Sequence, residues 1–86
     1  MPEISRFFGI RVVLWPDDHS PPHFHARYEG REVAIDIRTS RALKGGLRPR
    51  AMGMLVEWTE LHRPELLAAW ESMRRGEKPK RIAPLD

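Results

Sequence analysis

His23-Phe24-His25-Ala26-Arg27-Tyr28-Glu29-Gly30-Arg31-Glu32-Val33-Ala34-Ile35-Asp36-Ile37 is the stretch whose pattern decides the fold. Phe24, Ala26 and Tyr28 alternate with His23, His25 and Arg27, the period of two by which a strand buries one face and wets the other. Glu29-Gly30-Arg31 has turn chemistry and Val33-Ala34-Ile35-Asp36-Ile37 alternates again. The two runs therefore predict an antiparallel hairpin with Val33, Ile35 and Ile37 in the core. If the apolar faces coincide, Ala34, Asp36 and Arg38 share the outer face with His23, His25 and Arg27. That register brings Asp36 within reach of a histidine.

Upstream, the β-branched and apolar run Ile10 to Trp15 predicts a further strand, closed by Pro16-Asp17-Asp18. Downstream, Thr39 to Arg48 contains Gly45-Gly46 and no periodicity, which reads as a loop leading to Pro49, a residue favoured in the first turn of a helix. From Pro49 to His62, Ala51, Leu55, Trp58 and Leu61 or His62 recur at helical spacing, so a helix should lie on the sheet. Pro64 predicts a kink or restart. Leu66, Ala69, Trp70 and Met73 form the next stripe, Gly76 is the stop, and Glu71 and Arg75, four apart, are placed to pair. Residues 77–86 are basic and broken by proline, an edge strand or a flexible arm. The expectation is one α+β domain over residues 1–86. Its three-stranded antiparallel sheet, four-stranded if the last segment joins, is packed on one side by a C-terminal helical hairpin or kinked helix.

A chain of 86 residues leaves room for one modest core and no second domain. With 41% hydrophobic and 31% charged residues it has the composition of a folded protein. It has no cysteine, so disulfides and thiolate metal sites are excluded and a reducing cytoplasm suits it. Met1-Pro2-Glu3-Ile4-Ser5 lacks the basic and apolar regions of a signal peptide, and no run of eighteen apolar residues occurs, so no membrane is expected. The formal charge is +3, and Arg74, Arg75, Lys78, Lys80 and Arg81 crowd toward the end, which permits a polyanionic partner, RNA or DNA.

Three of the four histidines, His19, His23 and His25, fall within seven residues, just after Asp17 and Asp18. Three readings of this cluster stand side by side. The rings could be rim residues bonded to backbone behind a stiff Pro21-Pro22 connection. They could form an acid–base pair for phosphodiester chemistry, with Asp36 fixing a tautomer and Arg27 and Arg38 holding phosphate oxygens. Or His19, His23 and His25 could bind a divalent metal such as zinc, since histidines at i and i+2 on a strand share a face. Arg48-Pro49-Arg50 precedes a helix, where backbone amides gather and anions bind, and Lys80 and Arg81 are further phosphate candidates. Trp58 and Trp70 fall on helical stripes and read as core, while His62, at a helix end, reads as a cap.

Pro2-Glu3-Ile4-Ser5, Phe7-Phe8-Gly9-Ile10, Asp17-Asp18-His19, Pro21-Pro22-His23-Phe24-His25, Glu57-Trp58, Leu61-His62 and Trp70 resemble the small bacterial proteins of domain-of-unknown-function family 4160, over nearly the whole chain. Trp15-Pro16 and Pro64 depart from that pattern. The resemblance implies a protein partner more than a reaction: members are often encoded beside a second small protein, as toxin–antitoxin-like pairs. A weaker, architectural likeness is to small ribonuclease toxins of the double-stranded-RNA-binding type, which begin with a helix that residues 1–9 are too short to form. The lead expectation is therefore a cytoplasmic toxin–antitoxin-like component that binds RNA and cleaves it through His23, His25 and Asp36 without a cofactor. Its rivals are a non-catalytic antitoxin or DNA-binding regulator acting through its partner, and a metal-binding protein; a homodimer is left open.

Overall fold

The computed structural model describes residues 2–16 and 19–86. Five strands run β1 (Glu3–Phe7), β2 (Ile10–Val13), β3 (His23–Tyr28), β4 (Arg31–Asp36) and β5 (Ala42–Gly45), followed by helices α1 (Pro49–Leu61) and α2 (Arg63–Arg74). The strands form one antiparallel meander in the order β1-β2-β3-β4-β5. The class is α+β, as the sequence pattern implies, but the sheet has five strands rather than three or four.

The hairpin register follows from its turn and its pattern. Glu29 and Gly30 both have positive φ, +50° and +77°, the two-residue turn whose twist matches antiparallel strands. It sets His23 against Asp36, His25 against Ala34 and Arg27 against Glu32. Phe24, Ala26, Val33 and Ile35 then fall on one face, where all are sealed. Phe8 and Gly9 repeat the same turn between β1 and β2, with φ of +49° and +84°.

The two strands absent from the sequence expectation have physical reasons to be missed. β1 carries a register shift between Glu3 and Ser5, so its buried positions do not alternate, and Ser5 itself is buried. β5 buries no side chain at all, and burial is the source of any strand periodicity. Its closeness to β4 is instead written in Gly45: φ is +74°, and a Cβ there would run into the carbonyl oxygen of Glu32.

Both helices cover the sheet face that carries Phe24. Ala51, Leu55 and Trp58 of α1 and Leu66, Ala69, Trp70 and Met73 of α2 are buried, and Trp58 packs against Phe7 and Phe24 with ring centroids 5.2 and 5.8 Å apart. Leu61 is instead exposed. The helices divide at His62, two residues before Pro64, because a proline in the first turn of α2 withholds no hydrogen bond. Gly76 stops α2, with Gly76 N–H donating to Met73 and Glu77 N–H to Ser72, a paired C-terminal closure. Arg75 does not pair with Glu71; its guanidinium turns to Glu77 at 3.1 Å.

Residues 77–86 form neither a strand nor a loose arm. Ile82 is buried and donates its N–H to the Ile4 carbonyl at 2.7 Å, and the indole of Trp58 donates to the Ala83 carbonyl at 2.9 Å. Arg81 bonds both the backbone and the carboxylate of Glu3. The segment therefore straps the open edge of β1. Among the described residues no helix is long and apolar enough to cross a membrane.

Candidate functional site

His23 and His25 leave β3 on the side away from Phe24, because they alternate with the sealed Phe24 and Ala26, although at the start of the strand the His23 ring also reaches α2. Their rings stand edge to face with centroids 5.3 Å apart. Trp15, just past the end of β2, places its indole edge-on to His25 at 6.3 Å. The ring of His23 lies 5.4 Å from that of Trp70, whose buried indole N–H finds no acceptor among the described residues. The outer face is thus not evenly wet: both histidines are half-buried, and Val13, the cross-strand neighbour of His25, is sealed.

A carbonyl oxygen can only accept, so the 2.7 Å contact between His23 Nδ1 and the Pro21 carbonyl puts the proton on Nδ1. In the neutral ring the lone pair is then on Nε2, the atom a general base would use. Asp36, expected to fix a tautomer, stands directly across from His23, but its Oδ1 accepts the amides of Arg38 at 2.8 Å and Thr39 at 3.2 Å. That carboxylate shapes the β4–β5 turn, a local use that short acidic side chains readily take.

The basic candidates are dispersed. Arg27 donates Nε to Glu32 at 2.9 Å, and Arg48 lies 3.3 Å from Glu29. Arg81 holds Glu3, while Arg38, Arg50 and Lys80 are exposed. His19 is exposed in the loop before β3, and Asp17 and Asp18 lie outside the described residues. Among the described residues no three His, Asp or Glu side chains gather where they could hold a metal ion, so His19, His23 and His25 are not assembled as a ligand set. His62, read as a cap, turns its Nδ1 to Glu65 at 2.7 Å and rests its ring on Trp58.

Two cations missed in the sequence reading matter here. Lys44 of β5 continues the row Val13, His25, Ala34 across the sheet, and with His25 it lines a hollow of about 240 Å³ on the outer face. Only the pairing of an exposed strand puts it there. Arg63 donates Nε to the Ile37 carbonyl at 2.9 Å and a second nitrogen to the hydroxyl of buried Ser40, tying the start of α2 to the β4–β5 turn.

Glu3 is the electrostatic focus of the opposite edge. Hydrogen bonds from Arg6 and Arg11, with a further one from Arg81, lower its pKa from the ordinary 4.5 to about 2.

The sequence model of the family described as Domain of unknown function (DUF4160) matches residues 9–71, from the β1–β2 turn through most of α2. Neither a curated protein nor a solved structure matches the chain.

Proposed function

This chain belongs to the DUF4160 family, a domain of unknown function, and for it we propose an RNA-binding, metal-independent ribonucleolytic role within a two-protein, toxin–antitoxin-like module. The observation that supports the reading is the pair of imidazoles 5.3 Å apart on one face, one of them with its tautomer set by a backbone carbonyl.

In this reading Nε2 of His23 takes the proton from a ribose 2′-hydroxyl. The 2′-oxygen attacks the adjacent phosphorus, the bond from phosphorus to the 5′-oxygen breaks, and protonated His25 supplies the proton that the leaving oxygen needs. The products are a 2′,3′-cyclic phosphate and a free 5′-hydroxyl. Lys44, bordering the same hollow as His25, opposes the charge that builds on the non-bridging oxygens. Arg38 is the second phosphate contact, since Arg27 is held by Glu32.

The protein, purified without a histidine tag and treated with a chelator, should cut single-stranded RNA and leave cyclic phosphate ends. His23→Ala and His25→Ala should each lose about 100-fold or more in rate, the usual contribution of a positioned acid or base. A 2′-deoxy substitution at the scissile ribose should stop the cut. RNA left intact by well-folded protein sinks the catalytic reading.

A second reading is favoured by one observation: Arg27 and the Asp36 carboxylate both have structural work within the chain. On that reading the protein binds RNA or DNA, or its partner, without chemistry. Binding would then fall steeply with salt, and the histidine substitutions would leave it unchanged.

A further inference from the structure

Away from the histidines, the β1–β2 turn carries an oddity of its own. Phe8 sits at the first position of a two-residue turn with φ +49°, where Asn, Asp or Gly is favoured and a bulky side chain is strained. The residue is also 58% exposed, so most of its surface faces water. The sister turn solves the same backbone problem with Glu29, which costs no exposed aromatic surface. A strained, exposed aromatic is a candidate contact for something outside the chain.

The ring borders a hollow of about 550 Å³ that also takes in Tyr28, Met54 and Leu85 on its apolar side and Arg48 and Arg50 at the start of α1. Tyr28 is the floor of the turn: a Cβ on Gly9 would sit 3.2 Å from its ring. The first turn of α1 has Pro49 and no acidic residue, and no side chain caps its amides. Arg50, Met54 and Glu57 recur at i, i+4 and i+7 and so share one helix face, with Glu57 about 10 Å further along the axis than Arg50. Glu57 and Asp86 also line the hollow. The charge is thus polarised along α1, cationic at its start and acidic two turns on.

We propose that this hollow is a nucleotide subsite for single-stranded RNA. A base lies flat on Phe8, and its phosphate meets Arg50 and the first-turn amides of α1. Glu57, at the far end, repels phosphate and fixes which way round the nucleotide enters. Stacking on an exposed ring tolerates any base, and cations at a helix start favour a phosphate over an uncharged ligand. Arg48, tethered to Glu29 at 3.3 Å, borders the site. The inference goes beyond the imidazole reading and does not depend on cleavage, since Phe8 and Arg50 gather at the Tyr28 end of β3 and His23 begins the other end.

The test uses the whole chain and a fluorescently labelled oligouridylate, titrated at several salt concentrations. Phe8→Asn puts the residue that the turn prefers in place of the ring, so the melting temperature should hold or rise. Affinity should drop about tenfold, the range for loss of one stacked base. Arg50→Ala should weaken binding and flatten its salt dependence by about one charge. The oligouridylate carries 2′-O-methyl riboses, which lack the hydroxyl that cleavage needs, so the titration reads this subsite whether or not the catalytic reading holds. Parental affinity in Phe8→Asn, or no RNA binding by the folded parent, overturns the proposal.

Discussion

The two faces of the β3–β4 hairpin are made from alternate residues of the same two strands, and they do different work. On the helix side Phe24, Ala26, Val33 and Ile35 are at most 1% exposed and touch Trp58 and its neighbours. On the other side His23 bonds a carbonyl, Arg27 bonds Glu32, Asp36 accepts backbone amides, and the ring of His25 stands against those of His23 and Trp15. The first face holds the fold by removing apolar area from water, which depends little on pH or salt. The second is held by hydrogen bonds and charge, each worth little net stability and free to change partner. A chain this small has one core, so chemistry can be placed on the second face without disturbing the first.

Substituting Phe24 and His25, neighbours on one strand, measures that difference. Phe24→Ala should cost about 3–5 kcal/mol in denaturant unfolding, because the ring leaves a hole against Trp58. In a domain of this size that is a large part of the total stability. His25→Ala should cost about 1 kcal/mol, the net worth of a half-buried polar side chain. Equal losses in the two variants would mean that the outer face is a second core, and the comparison would fail.

Arg63 sits where the two faces meet, and its loss should be intermediate. Arg63→Ala strands the Ile37 carbonyl and the Ser40 hydroxyl, for about 1–3 kcal/mol. Hydrogen exchange should quicken at the Ser40 and Arg41 amides before it does in β3. Uniform acceleration across the sheet would show instead that Arg63 supports the whole core.

How much of this was legible in the sequence follows from the same division. The two faces of the β3–β4 hairpin could be read, with Asp36 near a histidine, because one sealed face imprints a strict period of two, but the turn closes at Glu29 and Gly30 and Arg31 already belongs to β4. The stripes of α1 and α2 were legible for the same reason. β5 carries no such imprint, so Lys44 could not be placed beside His25. The strap is held by two backbone groups, one buried side chain, Ile82, and one arginine, too few positions to leave a periodic signature. At the site, the shared side of the imidazoles came from alternation alone. The carbonyl that sets the His23 tautomer and the turn that captures Asp36 are local backbone events, invisible to side-chain periodicity.

The smallest expected effect concerns Glu3, and its sign can be worked out. Glu3 belongs to the charged side of the sheet: its backbone pairs with Val13, and its carboxylate gathers Arg6, Arg11 and Arg81. Those partners hold its folded pKa at about 2, below the ordinary 4.5. A depressed acid contributes stability that is present above about pH 4.5 and is lost as pH falls toward 2. The stability gap between the parent chain and Glu3→Gln should therefore be widest at neutral pH, narrow through that window and close at its lower end. Because the guanidinium partners are solvent-accessible, added salt should shrink the gap at every pH. Exchange at the Ile82 amide should quicken in Glu3→Gln, since Arg81 would lose its carboxylate while the apolar face stays as it was. A gap that ignored both pH and salt would place Glu3 with the sealed side of the sheet and break the division between the two faces.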